Sequence, residues 1–358
     1  MGTERPDSLV PVIPAKAGIQ ASKIFLVLFV KKVPKLPGTN KLAIDYFHHI
    51  SVFIPLRQYM FPDPRFCFFS LLICIFSPMK TILIGYGNVW KTLHEVLGEN
   101  GIEVDLIVRQ SGIFSSNGEK VDTIDNFDTH VDKYTVAYIS VPSDADASKH
   151  LSYYLSVLEK GGSVITCEKS VLAHYWHILK PYRNRLWYSA TVGGNSGILP
   201  EFHRYEGKIH DVKSVINGTL NIISEQSALG KTEVELYELV TTWGFAEPGA
   251  KNFQEVIDLE MQDVLYKAVI FANHSGLYHD VVTVSDIILE PFKSGARCML
   301  VADKHHIRAW FMYDDDTSWF PTGINNVLLI NGQKIVEWPG AGARATAERM
   351  YADGAHLT

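Results

Sequence analysis

Cysteine is scarce in this 358-residue chain: Cys67, Cys74, Cys167 and Cys298 are all it has. They form no CxxC pair and no metal-ligand spacing, so no disulfide framework or cysteine metal site can be read from them. That usage fits a reducing, cytoplasmic setting. Excess positive charge is also missing. The formal net charge is −6, which gives no sign of nucleic acid or an anionic membrane surface as a partner. Long apolar runs are missing too. The two longest candidates, Ile24–Val30 and Phe66–Phe76, fall short of the roughly 20 residues a membrane span requires. Neither sits in the charged–apolar–small order of a signal peptide, and no Ala-x-Ala site follows. There are no internal repeats and no low-complexity linker. What is present is ordinary for a soluble globular protein, 47% hydrophobic and 20% charged residues, in a chain long enough for two domains.

Residues 1–78 differ from the rest. Their short apolar runs are broken by Pro, Lys and His, and Val12–Gln20 resembles translated copies of a dispersed bacterial repeat element. Met79 then opens Met-Lys-Thr-Ile-Leu-Ile-Gly, a start running straight into a first strand. The expectation is that 1–78 is an upstream reading-frame extension. A membrane-associated leader is the competing reading.

From Met79 the pattern is strand, turn, helix. Thr81–Ile84 is a short apolar run ending in Gly-Tyr-Gly, and Val89, Trp90, Leu93, Val96 and Leu97 recur behind it at helical spacing. Ile102–Val108, Thr135–Val141 and Ser163–Thr166 read as further strands. Asp144 can cap a helix through Leu151, Tyr154, Leu155 and Leu158, and another helix runs from Ser170. This alternation predicts an α/β fold with a Rossmann-type, doubly wound parallel sheet over 79–188. After about Ser189 the pattern changes. Thr232–Glu235 is a capping box opening a helix to about Thr242, and Phe253–Asn273 reads as a long helix. Arg297–Ala302, Ile307–Met312 and Asn326–Ile330 read as strands. A second, mixed α+β domain is expected over 189–336, with 337–358 completing the first.

Gly85-Tyr-Gly87-Asn-Val-Trp90 holds the first two glycines of GxGxxG. The first makes the tight turn and the second lets the backbone approach a pyrophosphate at a helix N-terminus. Trp90 replaces the third. A plain glycine-rich βα turn is the alternative. The second strand runs into Arg109 where an acidic residue usually holds the ribose of NAD. An arginine there suits the 2′-phosphate of NADP, and an exposed loop arginine is the other reading. Downstream, Lys169 follows a strand of the nucleotide sheet. By itself it reads as a solvated surface lysine. Asp263 and Lys267 lie four apart on one helix face, which is also the spacing of an ordinary surface ion pair worth roughly 0.3–0.5 kcal/mol.

Taken in order, these segments resemble homoserine dehydrogenase, over nearly all of residues 79–355. The matching segments are Gly85–Val89, Val164–Lys169, Ala190–Gly194, Asn217–Asn221, Gly244–Pro248, the Asp263/Lys267 pair, and Pro339–Gly342 with Thr346-Ala347. The family's regulatory ACT domain is absent.

The resemblance implies reversible hydride transfer between NADP(H), or NAD(H), and the aspartate 4-semialdehyde/L-homoserine pair. It implies catalysis by Lys267, Lys169 and Asp263, with Glu247, Asp263 and Lys267 holding the substrate. Two lysines facing one substrate would lower each other's proton affinity and supply both a proton and a positive charge to the developing alkoxide. For the cofactor it implies Gly85, Gly87, Asn88, Val89, Arg109, Ser140, Pro142, Lys169 and Gly342. It implies a homodimer built through the second domain, and a monovalent cation near Val192 and Gly194. Ser189 replaces the carboxylate that helps hold that ion, which puts the ion site in doubt. Glu168 replaces an asparagine, and the stretch 249–257 is longer than usual. These departures leave room for a related oxidoreductase acting on another small aldehyde, or for a non-catalytic relative.

Overall fold

The computed structural model describes residues 79–358 except 144–145, 246–248, 314–316, 341, 356 and 358, together with Ser51–Val52 and Ile73–Cys74. The chain divides into two units, residues 1–75 and 76–358. In the first, Ser51–Val52 pairs antiparallel with Ile73–Cys74. The remaining expectations for 1–78 lie outside the described residues.

The second unit begins with β1 (Lys80–Gly85), whose Thr81–Ile84 are all buried. A continuous apolar run of this kind is what a central parallel strand needs, since both its faces are covered. The chain continues through α1 (Asn88–Glu99), β2 (Leu106–Arg109), β3 (Gly112–Ser115), β4 (Lys120–Asp122), β5 (Thr135–Ser140), α2 (Ser148–Glu159), β6 (Ser163–Thr166), α3 (Ser170–Leu179) and β7 (Leu186–Trp187). These strands make one seven-stranded sheet in the order β4-β3-β2-β1-β5-β6-β7. It is parallel from β2 to β7, while β3 and β4 add an antiparallel edge. That hairpin was not foreseen.

Two local expectations need correction. β2 starts at Leu106, not Ile102. The Asp105 carboxylate accepts the Thr81 N–H at 2.7 Å, so the ladder between β1 and β2 opens only at Ile82 and Leu106. The Asp144 cap lies outside the described residues. Asp146 is the carboxylate that accepts the Ser148 N–H at the start of α2, at 3.2 Å.

Period-2 alternation sorts the core. Ile82 and Ile84 face α2 and α3, packing with Ile139, Tyr154, Leu158 and Leu172. Leu83 faces the other way, with Trp90, Leu93 and Leu97 of α1. Each fully buried side chain of this kind contributes about 1.5–3 kcal/mol. The second face is completed from far along the chain. Ala347 and Met350 of α8 (Ala343–Gly354) join the Leu83 cluster.

Between α3 and α8 the chain forms α4 (Ile198–Glu201), β8 (Asp211–Val215), α5 (Gly218–Ala228), α6 (Glu233–Thr242), α7 (Phe253–Ser275), β9 (Ile288–Leu289), β10 (Arg297–Asp303), β11 (Ile307–Met312), β12 (Asn325–Ile330) and β13 (Gln333–Pro339). The capping box at α6 is formed: Thr232 and Glu235 each bond the other's backbone N–H. The six strands order as β9-β11-β10-β8-β12-β13. All pairings are antiparallel except β9 with β11. One face packs on α5, α6 and α7 through Leu220, Val256, Cys298 and Phe311. The other carries Val215, Met299, Val327 and Leu329, with Trp310, Met312, Phe320 and Trp319 of a short 3-10 turn, and among the described residues no α-helix contributes to that cluster. No described helix is long and apolar enough to cross a membrane.

Candidate active site

Strand order reverses beside β1, between neighbours β2 and β5, and the carboxyl ends of β1 and β5 carry Gly85 and Ser140. A doubly wound sheet opens its binding crevice at that point. Gly85 has φ +123°, and a Cβ there would lie 2.1 Å from the Ser140 carbonyl oxygen, so only glycine lets the two strand ends approach. Gly87 meets the opposite condition: a Cβ on it would point into open space. As N-cap of α1 it makes no side-chain capping bond, and the first helical turn, with Asn88 and Val89, holds no acidic residue. Uncapped N–H groups and a positive helix end beside a bare backbone fit a pyrophosphate.

Trp90 does not disturb this turn. Its ring is buried against Leu93, Ala347 and Met350, filling the space between α1 and α8. Arg109 lies beside it, its guanidinium 4.1 Å from the Tyr86 ring centre, 5.3 Å from Phe114 and 5.6 Å from Trp90. The Arg109 Nε is buried with no hydrogen-bond partner. A cation shelved on aromatic rings keeps its charge available for an anion.

Glu168, Lys169 and Ser170 join β6 to α3. The Glu168 carboxylate is fully buried. It accepts the N–H groups of Ser170, at 2.5 Å, and Val171, at 3.0 Å, as well as the Ser170 and Tyr154 hydroxyls. Its role is therefore to satisfy the orphan donors of α3. The Lys169 N–H donates to Ser143 Oγ at 3.0 Å, tying the lysine to the loop after β5. That loop also holds Pro142, which is exposed.

Neither the Lys169 side chain nor the Asp263/Lys267 pair lies on the open surface. Asp263, on α7, is 9% exposed. Lys267 Nζ stands 2.6 Å from its Oδ2 and Lys169 Nζ 3.3 Å from its Oδ1. Lys267 also donates to the Ile216 carbonyl at 3.0 Å. The two lysines therefore share one carboxylate. Half-buried cations are stabilised by such a partner. Burial alone would push the Asp263 carboxyl up, but Lys267, then Lys169, and a hydrogen bond from Asn217 hold it below the usual carboxylate range.

Two members of this cluster take no role from sequence: Asn217, although it opens a matching segment, and Glu260 altogether. Asn217, the N-cap of α5, accepts the Leu220 N–H through Oδ1. Its amide nitrogen donates to Glu260 at 2.7 Å and to Asp263 at 3.0 Å. Glu260 was legible in principle, because spacings of three and seven put it on the α7 face of Asp263 and Lys267. Glu247 lies outside the described residues.

The crossover between the sheets runs through Ser189–Gly194. A Cβ on Gly194, which has φ +52°, would lie 2.7 Å from the Gly340 carbonyl oxygen, so outgoing and returning chains pass in backbone contact. Val192 and Gly194 are buried there. Gly342 is the N-cap of α8. The Ser189 N–H donates to Asp353 of α8 at 2.8 Å, so a carboxylate reaches position 189 from another element. Among the described residues no group of three His, Cys, Asp or Glu could hold a metal ion.

No family model matches the chain. The homoserine dehydrogenase of Sulfurisphaera tokodaii is 22% identical over 292 residues, 74% of this chain and 93% of that protein. A hyperthermophilic archaeal homoserine dehydrogenase solved in complex with NADPH superposes with TM-score 0.64 at 20% identity, over 78% of this chain and 97% of that one. The Thermoplasma acidophilum homoserine dehydrogenase gives TM-score 0.62 at 20% identity, over 78% and 99%. In sequence and in two-sheet fold, the chain resembles the homoserine dehydrogenases.

Proposed function

We propose that this chain is a cytoplasmic, NADP(H)-preferring homoserine dehydrogenase. It would reversibly reduce L-aspartate 4-semialdehyde to L-homoserine in threonine and methionine biosynthesis. The observation that carries the reading is the buried Asp263 with a lysine on each carboxylate oxygen. It lies on α7, and Lys169 reaches it from the carboxyl edge of the nucleotide-type sheet.

Gly85–Val89, Ser140, Pro142, Lys169 and Gly342 would hold the dinucleotide, with Arg109 at the 2′-phosphate. The bound cofactor supplies the hydride to the aldehyde carbon. Negative charge then grows on the aldehyde oxygen. Lys267 has three N–H donors, and two are committed to Asp263 and Ile216. The third is available to the substrate oxygen, so Lys267 stabilises the alkoxide and delivers its proton. Lys169 adds positive charge from the cofactor side. Asp263 orients both ammonium groups and, with Glu247, receives the substrate's own ammonium. The face of the second sheet that no described α-helix covers would pack against a second copy of the chain.

The test is NADPH and NADH oxidation with aspartate semialdehyde, in the wild type and Lys267→Ala. Turnover is expected in the wild type, with a loss of about 10²–10⁴-fold in the variant. No wild-type turnover rejects the substrate, and activity surviving Lys267→Ala rejects the proton donor.

A further inference from the structure

We propose that Glu260 is a positioning residue for this site: through Asn217 it fixes the Asp263 carboxylate, and it supplies the second negative charge against which Lys169 and Lys267 are balanced. The inference rests on the reading of the lysine pair given above.

Glu260 is 3% exposed, on the same helix face as Asp263 and Lys267. A buried carboxylate needs a donor, and Glu260 takes one from the Asn217 amide. That amide is shared, since the same nitrogen bonds Asp263. The Asn217 oxygen is committed to the Leu220 N–H. With all three bonds made, the Asn217 amide cannot flip, and its donor edge stays on the two carboxylates. Asp263 is thereby held from α5 as well as by its lysines.

Lys169 and Lys267 bring two positive charges into a site where their side chains are 20% and 14% exposed. Asp263 bonds both of them, and Glu260 places a further negative charge one shared amide away from it. Charges this poorly solvated interact strongly, so removing one carboxylate makes an ammonium easier to deprotonate.

Glu260→Gln separates charge from shape, since the glutamine oxygen still accepts from Asn217. Acetic anhydride labelling across pH, read peptide by peptide by mass spectrometry, follows each lysine without turnover. In Glu260→Gln, half-maximal labelling of Lys267 is expected at a pH lower by about 0.5 unit or more, with exposed Lys91 unmoved. Glu260→Ala should show the same shift and also a fall in kcat of about tenfold, with KM for the aldehyde within about threefold. Lys267 labelling that coincides with wild type in both variants, with each variant's melting temperature near wild type, overturns the proposal. If the wild type fails to reduce aspartate semialdehyde, the substrate assignment falls while the labelling still decides the role of Glu260.

Discussion

At the scale of single residues, Arg109 was legible by position and illegible by environment. The end of the second strand marks where a ribose or its phosphate would lie. The rings around the guanidinium come from the glycine turn, α1 and β3, and no spacing rule brings them together. Arg109→Ser should raise KM for NADPH by about 10–100-fold, the worth of a charge-assisted hydrogen bond, and leave KM for NADH nearly unchanged. Equal losses for both cofactors would show that Arg109 only packs the rings. Lys169 and Asp263 carry the opposite lesson. Read alone, each looked like a surface residue, because lysine and aspartate are seldom buried unless paired. The partner that buries them is 94 positions away for Lys169, beyond the reach of local pattern. Trp90, conspicuous as a missing glycine, proves to be a core residue between α1 and α8.

At the scale of elements, the strands and helices named from their apolar pattern were read to within a few residues, β6 and β11 without error, but the central strand β8 and the buried helix α5 were not named. The β3–β4 hairpin was missed because its pattern is half exposed and short. Helix α8 was recognised only as a returning segment, since its sequence is mostly polar and Ala347 and Met350 are its only apolar residues in the core cluster. Its C-terminal turn is unusual. Asp353 is 7% exposed, and burial, opposed by bonds from Ser189 and the charge of Arg349, pushes its carboxyl up to about 6. The folded chain therefore binds a proton between about pH 4 and 6 that the unfolded chain has released. Stability falls as pH rises through that window, and above it the ionised carboxylate costs about 2–3 kcal/mol. Asp353→Asn keeps an acceptor for the Ser189 N–H without that charge. It should raise stability at pH 7–8 by about 1–2 kcal/mol and change it little at pH 4, measured by urea denaturation at both pH values. An equal effect at both would mean that packing, not ionisation, sets the difference.

At the scale of the whole molecule, the α/β class and the change of pattern after Ser189 were legible, because hydrophobic period is a property of long stretches. What periodicity could not give is the way α7 of the second sheet meets α3 of the first, where the lysines converge. The free face of the second sheet makes a prediction at this scale too. Sedimentation should find a dimer, and Trp310→Glu should weaken it by about 100-fold or more, as losing a buried interface tryptophan does. A monomeric wild type would refute that packing.

The position of α8 also has a consequence for how the protein is made. Leu83, Leu93 and Leu97 are synthesised early, but Ala347 and Met350, which cover them, come some 250 residues later. At roughly 5–20 residues per second, the nascent first sheet waits on the order of ten to fifty seconds with the apolar face beside α1 only partly covered. The ribosome-bound chain is thus a natural client for a chaperone that shields hydrophobic surface, and a nonsense mutation anywhere in the second sheet would disable the first.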